Sequence, residues 1–183
     1  MKHRGNAGYQ RYLANNAQTL ELLVHSYSDA LVRYAYSYVG DAAAAEDIME
    51  DAFALYIVKK IEFDSKEQLR CWLYKTVRSR AVDYLRRHRR EVSLERLETV
   101  LSVPDPFEDL AKRERNAILF RNMQKLKQDY RAVLQLHYLE GFRVEQICEI
   151  LNKSPKQVYN LLFRARSSLK ELLIKEGITY EEL

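Results

Sequence analysis

The chain has 183 residues, 47% of them hydrophobic, with 30 Lys and Arg against 26 Asp and Glu. That length and apolar content suit one large or two small globular domains and exclude an intrinsically disordered chain. Five Gly and three Pro beside thirteen Tyr favour a mostly helical protein, and no apolar run approaches the ~18 residues of a membrane span.

The net charge of +4 is unevenly spread. Asp41 to Asp51 holds five acids and no Lys or Arg, a segment of −5. Arg70 to Arg90 holds eight bases and one acid, a segment of +7. Such polarity points to two electrostatically different partners on one chain.

Residues 1–17 are polar, weakly periodic and without an apolar signal region, which predicts a tail and a cytoplasmic protein. A helix is then expected through Leu20, Leu23, Tyr27, Leu31, Tyr34 and Tyr38, which recur at three- and four-residue steps. Gly40 stops it and Asp41 suits the N-cap of the next helix. There Ala45, Ile48, Met49, Ala52, Leu55 and Tyr56 form the apolar stripe, and Glu46, Asp47, Glu50 and Asp51 the other face. Three readings of these acids stand: a solvated face, a metal-binding carboxylate cluster, or a docking face for a basic partner. No nearby His or second acidic segment completes a metal site.

After a short connector, in which Phe63 stands in polar surroundings, a third helix is expected through Leu69, Trp72, Leu73, Thr76, Val77, Ala81, Tyr84 and Leu85. Its outer positions carry Arg70, Lys75, Arg78, Arg80, Arg86, Arg87, Arg89 and Arg90. Arg predominates, which suits bidentate phosphate contact better than a merely solvated face. From Glu91 to Glu114 the pattern loosens, with seven acids against three bases. Pro104 and Pro106 preclude a continuous helix there and mark the domain boundary.

The second half repeats the helical patterning. Ile118, Met123 and Leu126 make one stripe; Ala132, Val133, Leu136 and Leu139 make another before a turn at Gly141. Val144 to Leu172 then shows two helical periods broken at Asn152-Lys153-Ser154. Ser154 fits an N-cap, Pro155 the first helical position, and Gln157 the partner of a capping box. A short helix, a tight turn and a longer basic helix outline a helix-turn-helix DNA reader. Val158, Leu162, Ala165, Leu169 and Leu172 are expected inside; Lys156, Gln157, Tyr159, Asn160 and Arg164 outside.

No Ser-His-Asp order, glycine-rich phosphate loop, HExxH or Cys-x-x-Cys occurs, so neither an enzyme, a cofactor nor a metal is expected. Cys71 and Cys148 sit in amphipathic patterns and read as reduced core thiols. The tail GITYEEL is too short for an added domain.

Together the stretches AEDIMEDAF (Ala45 to Phe53), WLYKTVRSRAVDYLRR (Trp72 to Arg87) and YLEGFRVEQICEILNKSPKQVYNLLFRARSSLKELL (Tyr138 to Leu173) resemble regions 2.2, 2.3–2.4 and 4 of a bacterial sigma-70-family factor of the extracytoplasmic-function (ECF) type. The resemblance implies an all-α fold of two small helical domains, residues 18–95 and 113–183, joined by a flexible linker, 96–112. It also implies partners: RNA polymerase core through its β′ clamp and β flap, promoter DNA, and an anti-sigma factor, without membrane insertion. Asp47, Glu50 and Asp51 would meet the polymerase, together with Phe53, which packs with Ile48 beneath the acids. Arg78, Arg80, Arg86 and Arg87 would hold −10 phosphates, with Phe63 and Ser79 at the captured unpaired base. Ser154, Lys156, Gln157, Tyr159, Asn160 and Arg164 would meet the −35 duplex. Ser79 stands where the family usually has Asn, and Leu161 offers only a thymine methyl contact or packing. A stand-alone helix-turn-helix regulator of duplex DNA is the main alternative; it leaves the −5 and +7 segments without purpose. A nucleic-acid enzyme working through the carboxylates near Asp47 is the other.

Overall fold

The computed structural model describes residues 17–59, 61, 63–88 and 110–177, and within them the regular structure is helical throughout. They fall into two compact units, one on the N-terminal helices and one on the C-terminal helices.

The first unit is three helices: α1 (Ala17–Val39), α2 (Ala42–Lys59) and α3 (Lys66–Arg87), each packed on the other two. Gly40, at φ +67°, takes the left-handed turn that lets the chain leave α1. Asp41 Oδ1 then accepts from the Ala44 N–H (3.0 Å) and caps α2. Leu31, Tyr34, Leu69, Leu73, Tyr74 and Val77 are fully buried, interleaved with the equally buried Ala35, Ala45, Ala52 and Ala81. Those small residues allow close helix approach around rings that would otherwise hold the helices apart. Tyr34 is the hub. Its ring lies edge-on to Tyr38 (5.3 Å, 79°) and 5.1 Å from Tyr74, and its hydroxyl meets that of Tyr38 at 3.2 Å. Burial, above all, drives the Tyr34 phenol well above its ordinary pKa. Tyr74 has no place in the apolar stripe expected for α3, although it is as deep as any residue there.

The second unit holds α4 (Leu110–Gln124), α5 (Gln128–Leu134) running into a π-helical turn (Gln135–Leu139), α6 (Val144–Leu151) and α7 (Pro155–Lys175). Both α4 and α5 pack on α7. Met123, Leu126, Ala132, Val133 and Leu136 are buried as expected, whereas Leu139 is 50% exposed. The π turn explains the difference. Its wider coil, closed by Glu140 N–H to Gln135 O (3.0 Å), breaks the 3.6-residue period on which that stripe was read. Gly141 (φ +66°) ends the segment, and Phe142 N–H returns to Leu136 O at 2.9 Å.

A polar lock ties the end of α7 to α4. The buried Asn122 side chain donates to Ile118 O (3.0 Å) and to Glu176 Oε2 (2.8 Å), and Lys125 Nζ pairs with Glu176 Oε1. Hydrogen bonds from Lys125 and Asn122 lower the Glu176 carboxyl below its ordinary 4.5. Since the folded value lies below the unfolded one, this stabilisation is present above about pH 4.5 and is lost as pH falls through the folded value. Glu176→Gln is expected to flatten that acid limb in thermal melts taken between pH 3 and 6, leaving a neutral-pH deficit.

Cys71 is buried and Cys148 half-buried, and neither forms a disulfide. Among the described residues no helix is long and apolar enough to cross a membrane.

Candidate nucleic-acid interface

The outer face of α2 is the acidic one. Glu46, Asp47, Glu50 and Asp51 are all exposed, and at about 100° per residue they share one side of the helix. The same face continues into Ile57 and Val58, which are 50% and 77% exposed. The charge pattern in the sequence did not mark this apolar end. Phe53, like Ile48, is 5% exposed, so it packs beneath the helix surface and offers little surface of its own.

Phe63 lies where its polar neighbours in sequence conceal its role. It is 8% exposed, stacked on Tyr56 (6.2 Å, 25°) and 5.8 Å from Trp72. Packed in this way, the ring presents little surface on which an unpaired base could stack. It instead anchors the chain entering α3, where Ser65 Oγ caps the helix by accepting from the Gln68 N–H (3.2 Å).

Along α3 the cations do not form one face. Arg78 and Arg80 are about 200° apart around the axis and both are half-buried. Arg80 Nε faces Asp51 Oδ2 of α2 at 3.9 Å, so a cation assigned to DNA and an acid assigned to polymerase meet in this unit. Asp51 is largely solvated and Arg80 partly so, and such a long, solvent-screened pair stabilises by about 0–1 kcal/mol at most. Arg86 pairs with Asp83 (3.2 Å), while Arg87 Nε donates to Asp83 O (3.3 Å). The solvent side of α3 is Lys75, Ser79, Val82 and Arg86. Val82 is therefore an addition to the residues expected there. Arg89 and Arg90 lie outside the described residues.

In the second unit the bihelical element has the capping geometry its sequence predicts. Asn152 takes φ 53°, the left-handed value that turns the chain between α6 and α7. Ser154 Oγ accepts from the Gln157 N–H (3.4 Å), and Gln157 Oε1 accepts from the Ser154 N–H (2.8 Å). Val158, Leu162 and Ala165 are buried; Leu169 and Leu172 are half-buried, and Leu173 takes the deep position at 4% exposure. Lys156, Gln157, Tyr159, Asn160 and Arg164 are all exposed. A shallow depression is lined by Lys153, Gln157, Asn160, Leu161 and Arg164. Ser154→Ala is expected to cost about 1 kcal/mol of helix stability, measurable as a drop in Tm, because the hydroxyl works as a cap. Phe163, 66% exposed, and Tyr138 on the π turn, 55% exposed, had no role in the sequence reading; Leu139 beside Tyr138 is 50% exposed.

No group of three or more His, Cys, Asp or Glu side chains among the described residues is placed to hold a metal ion. The carboxylates of α2 thus carry charge outward without converging on a common point.

Comparison with known proteins assigns these elements. The family descriptions "Sigma-70 region 2" and "Sigma-70, region 4" match residues 23–91 and 118–169, together most of the chain. The chain belongs to the sigma-70 family. Within it the chain is of the ECF type. It is 27% identical over 158 residues to the ECF RNA polymerase sigma factor SigM of Bacillus subtilis, covering 84% of this chain and 94% of that one. It is 28% identical over 164 residues to the probable RNA polymerase sigma factor RfaY of Xanthomonas campestris, covering 86% of this chain and 41% of that longer one. In fold it resembles the sigma factor RpoE of Bartonella quintana, solved with the anti-sigma factor NepR. There the TM-score is 0.68 at 23% identity over 86% of this chain and 98% of the other. In this sigma factor α1 to α3 therefore make up region 2 and α4 to α7 region 4.

Proposed function

We propose that this sigma factor is the dissociable initiation subunit that brings core RNA polymerase to particular promoters and opens them. The observation that carries the reading is the coexistence, on one chain, of a capped, basic, outward-facing recognition helix and an exposed acidic face. A regulator that only binds duplex DNA has no use for the second.

The roles follow from chemistry. Asp47, Glu50 and Asp51 dock on the basic β′ clamp, with Ile57 and Val58 adding apolar contact at the end of the same face; region 4 engages the β flap. The solvent side of α3, including Ser79 and Arg86, with Arg78, Arg80 and Arg87 on its flanks, holds the −10 strand by charge. Arg80 has to exchange its weak pairing with Asp51 for a phosphate. Helix α7 enters the major groove of the −35 duplex through Lys156, Gln157, Tyr159, Asn160 and Arg164, where a bidentate base contact gives about 1–3 kcal/mol of discrimination. Leu161 lines the depression between them and suits a thymine methyl. By analogy with RpoE and its bound NepR, an anti-sigma factor covers these surfaces when the factor is held inactive.

In vitro transcription with core enzyme on a genomic fragment library tests the reading. Specific starts preceded by a shared −35/−10 pair are expected. Active core that yields no specific starts with this chain defeats it.

A further inference from the structure

The capping box divides the labour on the recognition face, and the consequence concerns base specificity. Reading adenine in the major groove takes one side-chain amide whose oxygen accepts from the N6 amino group while its nitrogen donates to N7. Gln157 and Asn160 are the two exposed amides on the face of α7 that lines the depression with Arg164. They are not equivalent. The Gln157 oxygen is directed at the Ser154 N–H at 2.8 Å, and only the oxygen end of the amide can accept that bond. Turning its edge onto a base would break the cap. What Gln157 has left to offer is its nitrogen, a donor to phosphate or to any base acceptor, which does not single out adenine.

Resting on the proposed promoter-binding role of α7, we infer that Asn160 is the residue that reads an adenine in the upstream duplex element. Gln157 is a positioning residue, holding the first turn of the recognition helix. Asn160 sits one turn beyond Lys156 and one turn before Arg164, at the centre of the outward face. Leu161, half-buried on the wall of the same depression, adds the apolar contact a thymine methyl takes. Both neighbours favour A·T over G·C at this part of the site.

The test uses the full chain assembled with core polymerase on promoters whose upstream duplex element is randomised, with transcripts sequenced. The wild-type factor is expected to prefer A·T at one position by ~5- to 100-fold. Asn160→Ala, an exposed change to a better helix former, is expected to keep the Tm and abolish that preference at that position alone. Gln157→Ala is expected to lower the Tm and to reduce output on all promoters alike. Gln157→Glu, which preserves the acceptor of the capping box, is expected to restore the Tm and leave the ranking of promoters unchanged, though its charge lowers overall affinity. The inference is overturned if Asn160→Ala leaves every base preference intact, or if Gln157→Glu alters the preference at an A·T position. Loss of any upstream preference in the wild type is a different failure: it removes the promoter-reading role of α7 itself.

Discussion

Asp47→Lys combined with Glu50→Lys is expected to weaken binding to core polymerase by about 100-fold or more, the scale of placing like charges across an interface. Both side chains are exposed on the outer face of α2, so the folded chain changes little, within about ±0.5 kcal/mol. Asp51 is the wrong residue for this experiment, because its carboxylate also faces Arg80. Removing it would free a cation as well as delete an acid. Affinity for free promoter DNA should hold or rise in the double variant, since the chain becomes more positive. Core binding measured by fluorescence anisotropy over a salt series checks both parts. Wild-type binding should weaken as salt is added, and the variant should already be weak at low salt. Unchanged core binding would remove the acidic face from the interface.

Phe63→Ala is expected to destabilise region 2 by about 3–5 kcal/mol, the cost of deleting a buried aromatic ring. The ring is 8% exposed and in contact distance of Tyr56 and Trp72, so the loss combines transfer, cavity and aromatic-pair effects. A side chain that instead met an unpaired base would be dispensable for folding and costly only for DNA opening. Chemical denaturation of the free protein separates the two. A large fall in unfolding midpoint supports the packed role, and an unchanged midpoint with impaired promoter opening supports base contact. Phe63→Leu should recover much of the stability, because it restores apolar volume without a stacking face.

These two sites also show why some features were legible and others were not. The acids of α2 could be placed on one outward face from their spacing alone, since a helix sets neighbours at three and four residues. The caps at Asp41 and Ser154 were equally readable, because a cap involves only the next three residues. The burial of Phe63 was not legible, since its three immediate neighbours on either side say nothing about Tyr56 and Trp72 across the fold. Leu139 was misjudged for a different reason: one π turn shifts the phase of every later position in its helix, and nothing in the composition of Gln135 to Leu139 announces it.

From residue order alone came the mostly helical class, the helix boundaries at Gly40–Asp41 and Asn152–Ser154, the opposed charges of α2 and α3, and the helix-turn-helix with its capping box. All of these depend on interactions within about four residues. The depth of Tyr34 and Tyr74, the burial of Phe63, the meeting of Asp51 with Arg80 and the lock of Asn122 with Glu176 came only from the folded chain. Their partners are distant in sequence, and whether a side chain is covered depends on which helix comes to lie against it. Gln157 joins the two levels. Its capping role is local and readable, but only the folded geometry shows its oxygen committed to that role and so distinguishes it from Asn160 on the same face.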